Sequence, residues 1–336
     1  MQLRDAASLF AVALVALLAI AAPLVLPSFV AFELAYAGAY AIAILGLIVL
    51  TGHNGQISLG HGAFAAIGGY MVAIGAERAG VPAWAGLPLA GAICAVFGTL
   101  VGVVALRLSG AYLALATFAL AVAVPPTLKR FGAFTGGSQG ITLSPVGVPA
   151  PLGGVLGPER FLYYVTWAIL ALLCALTWYL LAGRLGRTLR ALRDNEIAAI
   201  SFGIDPFRYK SLAFGWSAAY AGIAGGLLAL TTAYVNPDVY ALQLSITLLT
   251  GTVLGGLETL WGAIVGGLVV EFLPLWAQSV NPAASSLVYG VSLIVVMIAM
   301  PAGIAGTLPR VLHALRLALV ARGNHNARVR PRAEGS

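Results

Sequence analysis

Long charge-free apolar stretches divide the chain into about ten segments that could each cross a bilayer. A crossing helix needs roughly 20 apolar residues, because it rises 1.5 Å per residue and the hydrocarbon core is about 30 Å thick. The predicted spans are Ala6–Val30, Leu34–Thr51, Ile57–Gly75, Val81–Leu106, Ala111–Leu128, Phe161–Ala182, Ser211–Thr232, Leu242–Gly256, Ala263–Val280 and Ser285–Met300. The pattern therefore predicts an all-α polytopic membrane protein with about ten transmembrane helices in one bundle.

The second and third spans share one run, Leu34–Ala76, that contains no Asp, Glu, Lys or Arg. A straight helix over this run would be about 65 Å long, so the chain must break or turn within it. Irregular backbone at membrane depth is tolerated only inside protein or beside a watery cavity, and transporters use broken helices to face a substrate. We predict a broken helix near residues 52–58 that forms a substrate path or gate. The alternative is a short cytoplasmic turn between two spans. The candidate residues are Gly52, His53, Asn54, Gly55, Gln56, Ser58, Gly60 and His61.

Composition excludes a soluble protein. The chain is 60% hydrophobic and 9% charged, whereas a soluble domain carries about 25% charged residues. A net charge of +7 would suggest nucleic acid in a soluble chain, but here the basic residues flank apolar spans. Twelve of the 18 Lys and Arg residues lie in Gly183–Lys210 and in the tail from Arg310 to Arg332, so both segments are predicted to be cytoplasmic. Both termini are then cytoplasmic, the connection 129–160 is extracytoplasmic, and residues 311–336 form a basic, disordered tail.

The loop Gly183–Lys210 contains a candidate amphipathic helix, Thr188–Ile200. Its apolar residues Leu189, Leu192, Ile197 and Ile200 fall roughly on one side. Gly203 is placed to end the helix. Acidic residues alternate with the arginines, which favours a cytoplasmic protein over the lipid surface as the partner. The alternative is a loop that is basic only for orientation. The candidate contact residues are Arg187, Arg190, Arg193, Asp194, Asn195 and Glu196.

The extracytoplasmic connection carries a glycine-rich turn whose residues Thr135, Gly136, Gly137 and Ser138 are a possible contact for a soluble binding protein. Glycines there permit positive φ angles, and a purely structural loop is the alternative. Four small-xxx-small pairs, which begin at Gly98, Gly222, Gly251 and Gly262, predict close helix packing.

Few ionisable residues interrupt the spans. Glu271 is the one acid deep in a span, and it should face protein or water or be protonated, because a charge at mid-helix costs about 2.5–3.5 kcal/mol. Glu33 and Asp238 lie at span edges, where we expect ordinary interface residues. The chain has no P-loop motif and no metal-ligand or catalytic constellation, so we expect no enzyme activity, no bound metal and no cofactor.

Three of these motifs also carry a family resemblance. They resemble motifs of the LivM-type permease subunits of branched-chain amino acid ABC importers. The motifs are Thr51-Gly52 followed by Gln56-x-Ser58-Leu-Gly60-His61, the run Gly186-Arg-x-Leu-Arg-Ala-x-Arg-Asp-Asn-Glu196, and Thr135-Gly-Gly-Ser138. These are inner-membrane components of binding-protein-dependent transport. The resemblance implies an ABC importer permease bundle over residues 1–310, with 183–210 as the coupling loop.

The resemblance also implies the partners. They are a LivH-like second permease, two cytoplasmic ATPases of the LivG and LivF type that bind ATP and Mg, a periplasmic substrate-binding protein and the bilayer, with no nucleic acid. The implied function is ATP-driven import of branched-chain amino acids or a related small polar solute across the bacterial inner membrane. A gradient-driven transporter or channel is the alternative. Such carriers usually place several ionisable groups in their spans, whereas this chain offers Glu271 and little else. The solute, the pairing of the permease with itself or a relative, and the role of Glu258 are left open.

Overall fold

The computed structural model describes residues 23–105, 110–148, 157–280, 285–300 and 303–307. Most of the first predicted span and the whole tail 311–336 lie outside these residues. The helices are α1 (Ser28–Leu47), α2 (His61–Ala79), α3 (Ala83–Ala105), α4 (Ala111–Arg130), α5 (Pro158–Ala182), α6 (Arg184–Asp194), α7 (Glu196–Ser201), α8 (Pro206–Thr232), α9 (Leu242–Gly255), α10 (Trp261–Val280) and α11 (Ser285–Ala299).

Six helical segments in the described part of the chain are long and apolar enough to cross a membrane. They are Ser28–His53, Ala83–Val104, Tyr112–Arg130, Pro158–Ala182, Pro206–Thr232 and Trp261–Val280. The chain is thus an all-helical polytopic membrane protein, but the prediction of about ten spans is not confirmed. The helices α2, α9 and α11 coincide with predicted spans and fall outside the six. The 14 residues of α9 extend only about 21 Å, which is less than the thickness of the hydrocarbon core.

The bundle is organised around α1 and α8, the two most deeply buried spans. Helix α8 packs against α3, α2 and α1, while α1 also packs against α5 and α10. Helices α2 and α8 approach so closely that a Cβ atom on Gly68 would lie 2.0 Å from the carbonyl oxygen of Gly222. The predicted close packing at the four small-xxx-small pairs is confirmed, because a Cβ on any of these glycines would come within 2.9 Å of a neighbouring helix or loop.

The outer helices leave large apolar side chains exposed. Trp84 on α3 is 72% exposed, and Trp178 and Tyr179 on α5 are 66% and 72% exposed. Exposed apolar surface of this extent is unfavourable in water but matches lipid tails or further transmembrane helices. The exposure of the outer helices is therefore consistent with a bundle embedded in a bilayer.

A small two-stranded ladder closes one end of the bundle. Strand β1 (Ile141–Thr142) pairs antiparallel with β2 (Tyr234–Val235), and Lys129 forms an ion pair of 2.7 Å with Asp238. These contacts hold the connection after α4 against the residues that follow α8. The 27 residues of α8 extend about 40 Å, so the segment 183–205 lies at the opposite end of the bundle.

Candidate functional site

Helix α1 does not end as a regular helix but widens into a π-helical turn, Ile48–His53, before the backbone becomes irregular. The irregular segment runs from Asn54 to Gly60, and α2 begins at His61. The break predicted near residues 52–58 is therefore present, although it begins after His53 and extends to Gly60. π-helical turns occur frequently at functional sites, because they widen the helix and redirect its carbonyl groups.

Polar side chains from two other helices stabilise the irregular segment and the start of α2. The backbone N–H of Leu59 donates to Oγ1 of Thr117 on α4 at 2.9 Å, and the N–H of Gly62 donates to Oγ of Ser245 on α9 at 2.8 Å. Within the segment, Nδ2 of Asn54 donates to Oε1 of Gln56 at 2.6 Å. Buried backbone donors need such partners, so these hydroxyl groups replace the helical hydrogen bonds that the break removes.

His61 faces the protein interior. It is 1% exposed, and its Nε2 lies 2.7 Å from Oγ of Ser217 on α8. The Ser217 hydroxyl donates to the carbonyl oxygen of Gly46 on α1 at 2.6 Å, so the histidine is the donor to the serine. His61 therefore joins three helices at the break. His53 is also buried, with Nδ1 3.2 Å from the carbonyl oxygen of Ile48.

Gly52 contacts the loop between α9 and α10 through its backbone. A Cβ atom on Gly52 would lie 1.7 Å from the carbonyl oxygen of Leu257, a distance that no side chain allows without movement of the loop. Gly256, one residue before Leu257, has φ +119°, a conformation that glycine adopts without strain. The π-helical turn and the loop 256–260 thus touch main chain to main chain.

The loop Gly183–Lys210 contains two helices, α6 and α7, and the prediction of one helix over Thr188–Ile200 was wrong. Asn195 is extended, with φ −158° and ψ 100°, and its Oδ1 accepts a hydrogen bond of 3.0 Å from the N–H of Ala198. An asparagine that caps a new helix in this way interrupts the preceding one. The four apolar residues consequently separate into two sets. Leu189 and Leu192 are buried, whereas Ile197 and Ile200 are 80% and 51% exposed.

Arg193 connects α6 to the broken helix. Its Nη1 donates to the carbonyl oxygen of Gly52 at 2.6 Å and to Oε1 of Glu258 at 2.9 Å, and its Nε donates to Oδ1 of Asp194 at 3.0 Å. The hydrogen bond to Asp194 and the nearby carboxylate of Glu258 raise the pKa of Arg193. Gly55 (φ +73°) leaves room for this arginine, since a Cβ there would lie 2.8 Å from its Cγ. We call Gly52, Arg193 and Glu258 the junction.

The structure places the other predicted contact residues around the junction. Glu196 forms an ion pair of 2.7 Å with Lys210 at the start of α8. Arg187 and Arg190 are exposed on α6. A cavity of about 260 Å³ separates the irregular segment from α6 and is lined on its two sides by Gly55 and Asn195, among others.

The glycine-rich turn at the opposite end has the predicted positive φ angles, +73° at Gly136 and +63° at Gly137. Oγ1 of Thr135 donates to the carbonyl oxygen of Leu128 at 2.6 Å, and the carbonyl oxygen of Ser138 accepts from Nδ2 of Asn236 at 3.1 Å. The turn is therefore hydrogen-bonded to the end of α4 and to the residue that follows β2. Phe134, which is 65% exposed, projects beside it.

Sequence reasoning missed three kinds of residue at these sites. It left Glu258 without a role, and it did not find the hydroxyl groups of Thr117, Ser217 and Ser245 that support the break. Isolated Ser and Thr within apolar spans were the available signal. It also did not predict that Phe202, which is 87% exposed, would extend the apolar surface of Ile197 and Ile200.

A polytopic helical bundle with an irregular segment at one end, tied by an arginine to an exposed helical loop, is the architecture of a membrane transport protein. The match to known families is more specific. A model of the family described as "Branched-chain amino acid transport system / permease component" matches residues 29–300. This match covers most of the chain, which therefore belongs to that family and is a membrane permease subunit of a transport system.

Individual relatives agree with the family assignment. The chain is 33% identical over 290 residues to the high-affinity branched-chain amino acid transport system permease protein LivM of Salmonella typhimurium. The aligned region covers 79% of this chain and 67% of the relative. Its identity to LivM of Escherichia coli K12 is also 33% over the same shares. LivH of E. coli K12 is 28% identical over 80% of this chain and 91% of its own length. No solved structure matches significantly.

Proposed function

We propose that the chain is the LivM-like permease of an ABC importer that carries branched-chain amino acids or a related small polar solute. The names of the LivM and LivH relatives support this substrate class. Similarity to both proteins supports a pseudo-symmetric pair in which this chain joins a LivH-like partner. Two ATPases that bind ATP and Mg, together with a periplasmic binding protein, complete the proposed assembly.

The junction is the observation that carries the proposed mechanism. An importer must convert movement of its ATPases into movement of a gate inside the membrane. In this chain a single arginine joins the exposed segment α6–α7 to the carbonyl of Gly52 and to Glu258. We propose that residues 51–61 are the gate, that 183–210 is the coupling loop and that Arg193 transmits the movement between them.

The exposed apolar surface of α7 is the proposed ATPase contact. Ile197, Ile200 and Phe202 project from a short helix that the adjacent loop residues do not cover. Burying these side chains in an ATPase groove would remove apolar surface from water, at about 25 cal/mol per Å². Arg187 and Arg190 would then lie at the polar rim of the contact.

The orientation of the bundle is part of the same proposal. With α6 and α7 facing the ATPases in the cytoplasm, the turn Thr135–Ser138 and the exposed Phe134 face the periplasm, where they would meet the binding protein. Both termini are then cytoplasmic, and about ten spans satisfy that parity. The location is the bacterial inner membrane.

The proposal is tested by reconstituting the complete importer, permease pair and ATPases, in proteoliposomes with the binding protein outside. We expect uptake of radiolabelled L-leucine only with ATP inside and loaded binding protein outside. A matched experiment omits ATP and imposes a proton or sodium gradient. Uptake under the gradient alone would assign the chain to the gradient-driven class and overturn the proposal.

A further inference from the structure

A second polar cavity lies far from the junction. Its volume is about 490 Å³, within the range of small-molecule sites. Helix α9 runs from this cavity to the loop that carries Glu258, so the cavity and the junction lie toward opposite ends of the bundle. Three helices supply polar side chains to it in pairs. They are Tyr36 and Tyr40 from α1, Gln243 and Thr247 from α9, and Glu271 and Gln278 from α10.

The spacing of each pair is helical. Tyr36 and Tyr40 are four residues apart, as are Gln243 and Thr247, and Glu271 and Gln278 are seven apart, so each pair lies on one helix face. Polar and acidic faces are costly against lipid, and within a membrane they turn toward water-filled cavities or ligands. Convergence of three such faces indicates a space built for something polar.

The acid found to line the cavity is Glu271, and a second acid interacts with it. Glu33 on α1 is 7% exposed, and its carboxyl group is close enough to that of Glu271 for the two groups to interact. Glu33, which we expected to be an ordinary residue at a span edge, is thus buried near the start of α1 beside another acid. A cation bound beside both carboxylates would relieve the repulsion between them. No Lys, Arg or His is among the residues found to line this cavity.

A proline adds a further hydrogen-bond acceptor. Pro274 lies inside α10 and lines the cavity together with Val270. Because proline has no N–H, the carbonyl oxygen of Val270 loses its regular helical donor. The wall thus combines the carboxyl group of Glu271, this carbonyl and the amide and hydroxyl oxygens of its neighbours, with no charged donor among the residues found to line it.

We propose that this cavity is a transit site for the ammonium group of the transported solute. Glu271 is the anionic partner, and the rings of Tyr36 and Tyr40 face the same cation. These two rings stand edge to face with their centroids 5.0 Å apart, and aromatic faces attract ammonium groups. The inference rests on the proposed import function and deepens it, because it selects solutes that carry a positive charge.

Direct binding to the assembled permease–ATPase complex in nanodiscs tests the proposal. Three probes share one carbon skeleton: L-leucine, isopentylamine, which has only the ammonium group, and 4-methylpentanoate, which has only the carboxylate. Saturation-transfer NMR should detect the first two and not the third. Glu271→Gln should weaken isopentylamine binding at least tenfold, whereas the control Glu159→Gln, on α5 and outside the cavity wall, should not change it.

A gain-of-function variant keeps the test decisive if Glu271→Gln does not fold. Gln278 is exposed on the cavity wall, so Gln278→Glu adds a second negative charge without removing packing. We expect isopentylamine to bind at least threefold more tightly to this variant. Equal binding of 4-methylpentanoate, or isopentylamine binding that neither variant changes, would overturn the proposal.

Two further results separate the alternatives. Displacement of isopentylamine by millimolar NaCl but not by choline chloride would assign the cavity to an inorganic cation and overturn the ammonium site. Wild-type uptake of L-leucine in the proteoliposome assay reports on the proposed function independently. Uptake without ammonium-selective binding would reject only this cavity, while absence of uptake of L-leucine and of the other branched-chain amino acids would reject the proposed substrate class.

Discussion

Replacement of Arg193 by methionine is the sharpest perturbation of the junction. Methionine keeps the apolar part of the stem, but it removes the guanidinium group and with it the two hydrogen bonds of Nη1 and the hydrogen bond of Nε to Asp194. The buried carbonyl of Gly52 then loses its charged hydrogen-bond donor, which lowers the free energy of unfolding by about 1.5–3 kcal/mol. The contact with Glu258 adds little, because that side chain is 71% exposed and exposed ion pairs contribute about 0.2–1 kcal/mol.

These magnitudes rank three variants. Arg193→Met should reduce the free energy of unfolding by about 2–3 kcal/mol. Glu258→Gln should cost less than about 1 kcal/mol, since only the exposed pair is lost. The control Arg208→Met removes an arginine whose side chain is 83% exposed and paired only with its neighbour Asp205, and it should have almost no effect.

The assay has a stability part and a functional part. Unfolding of the detergent-solubilised protein gives the ranking, and the number of solutes imported per ATP in proteoliposomes reports coupling. We expect Arg193→Met to lower that ratio at least fivefold, because α6 would move without pulling on Gly52. The reasoning is refuted if Arg193→Met and Arg208→Met are equally stable, or if Arg193→Met imports with the wild-type ratio.

Four further predictions follow from other contacts. Gly52→Ala should lower the free energy of unfolding by about 1–3 kcal/mol or more, because its Cβ would overlap the Leu257 carbonyl. The control Gly75→Ala, whose Cβ would meet only Val81 at 3.8 Å, should melt at or above the wild-type temperature. Phe202→Asp should abolish co-purification of the ATPases without unfolding the permease, since the Phe202 side chain is 87% exposed. The control Val239→Asp, at the opposite end of the bundle, should leave co-purification unchanged. Retention of the ATPases by Phe202→Asp would contradict the assignment of α7 as the ATPase contact. Phe134→Asp should weaken stimulation of ATP hydrolysis by the binding protein at least threefold, and an unchanged response would remove the turn at 135–138 from the contact. His61→Ala should lower the free energy of unfolding by about 1–3 kcal/mol, because the buried Ser217 hydroxyl would lose its hydrogen-bond donor. An unchanged melting temperature would show that the histidine does not join the helices.

Local pattern predicted the break well because its causes are local. A charge-free run too long for one crossing must turn, and Gly55, with φ +73°, provides the conformation that the turn needs. The positive φ angles at Gly136 and Gly137 followed from the same reasoning. The helix end near Gly203 was also predictable, since glycine ends helices through its own backbone preference, and Gly203 has φ +79°.

The prediction of a single amphipathic helix over Thr188–Ile200 was wrong because the helix is interrupted at Asn195. Its apolar periodicity is real, but Asn195 can cap a new helix as readily as it can continue the old one. The packing of Leu189 and Leu192 against the bundle, together with the ion pair between Glu196 and Lys210, favours the interrupted form. A periodicity calculation contains neither interaction.

The sequence by itself determined that this is a polytopic helical membrane protein, where its chain must break, and which loop is basic and exposed. Those properties depend on hydrophobicity, charge and backbone preference, which are encoded within a few residues of each position. Only the tertiary structure decided that Arg193 reaches Gly52 and Glu258, and that Glu33 lies near enough to Glu271, in the wall of a polar cavity, to interact with it. Such contacts join residues from 65 to more than 200 positions apart along the chain. They exist because α1 lies in the centre of the bundle, with α6 at one end and α10 along its side.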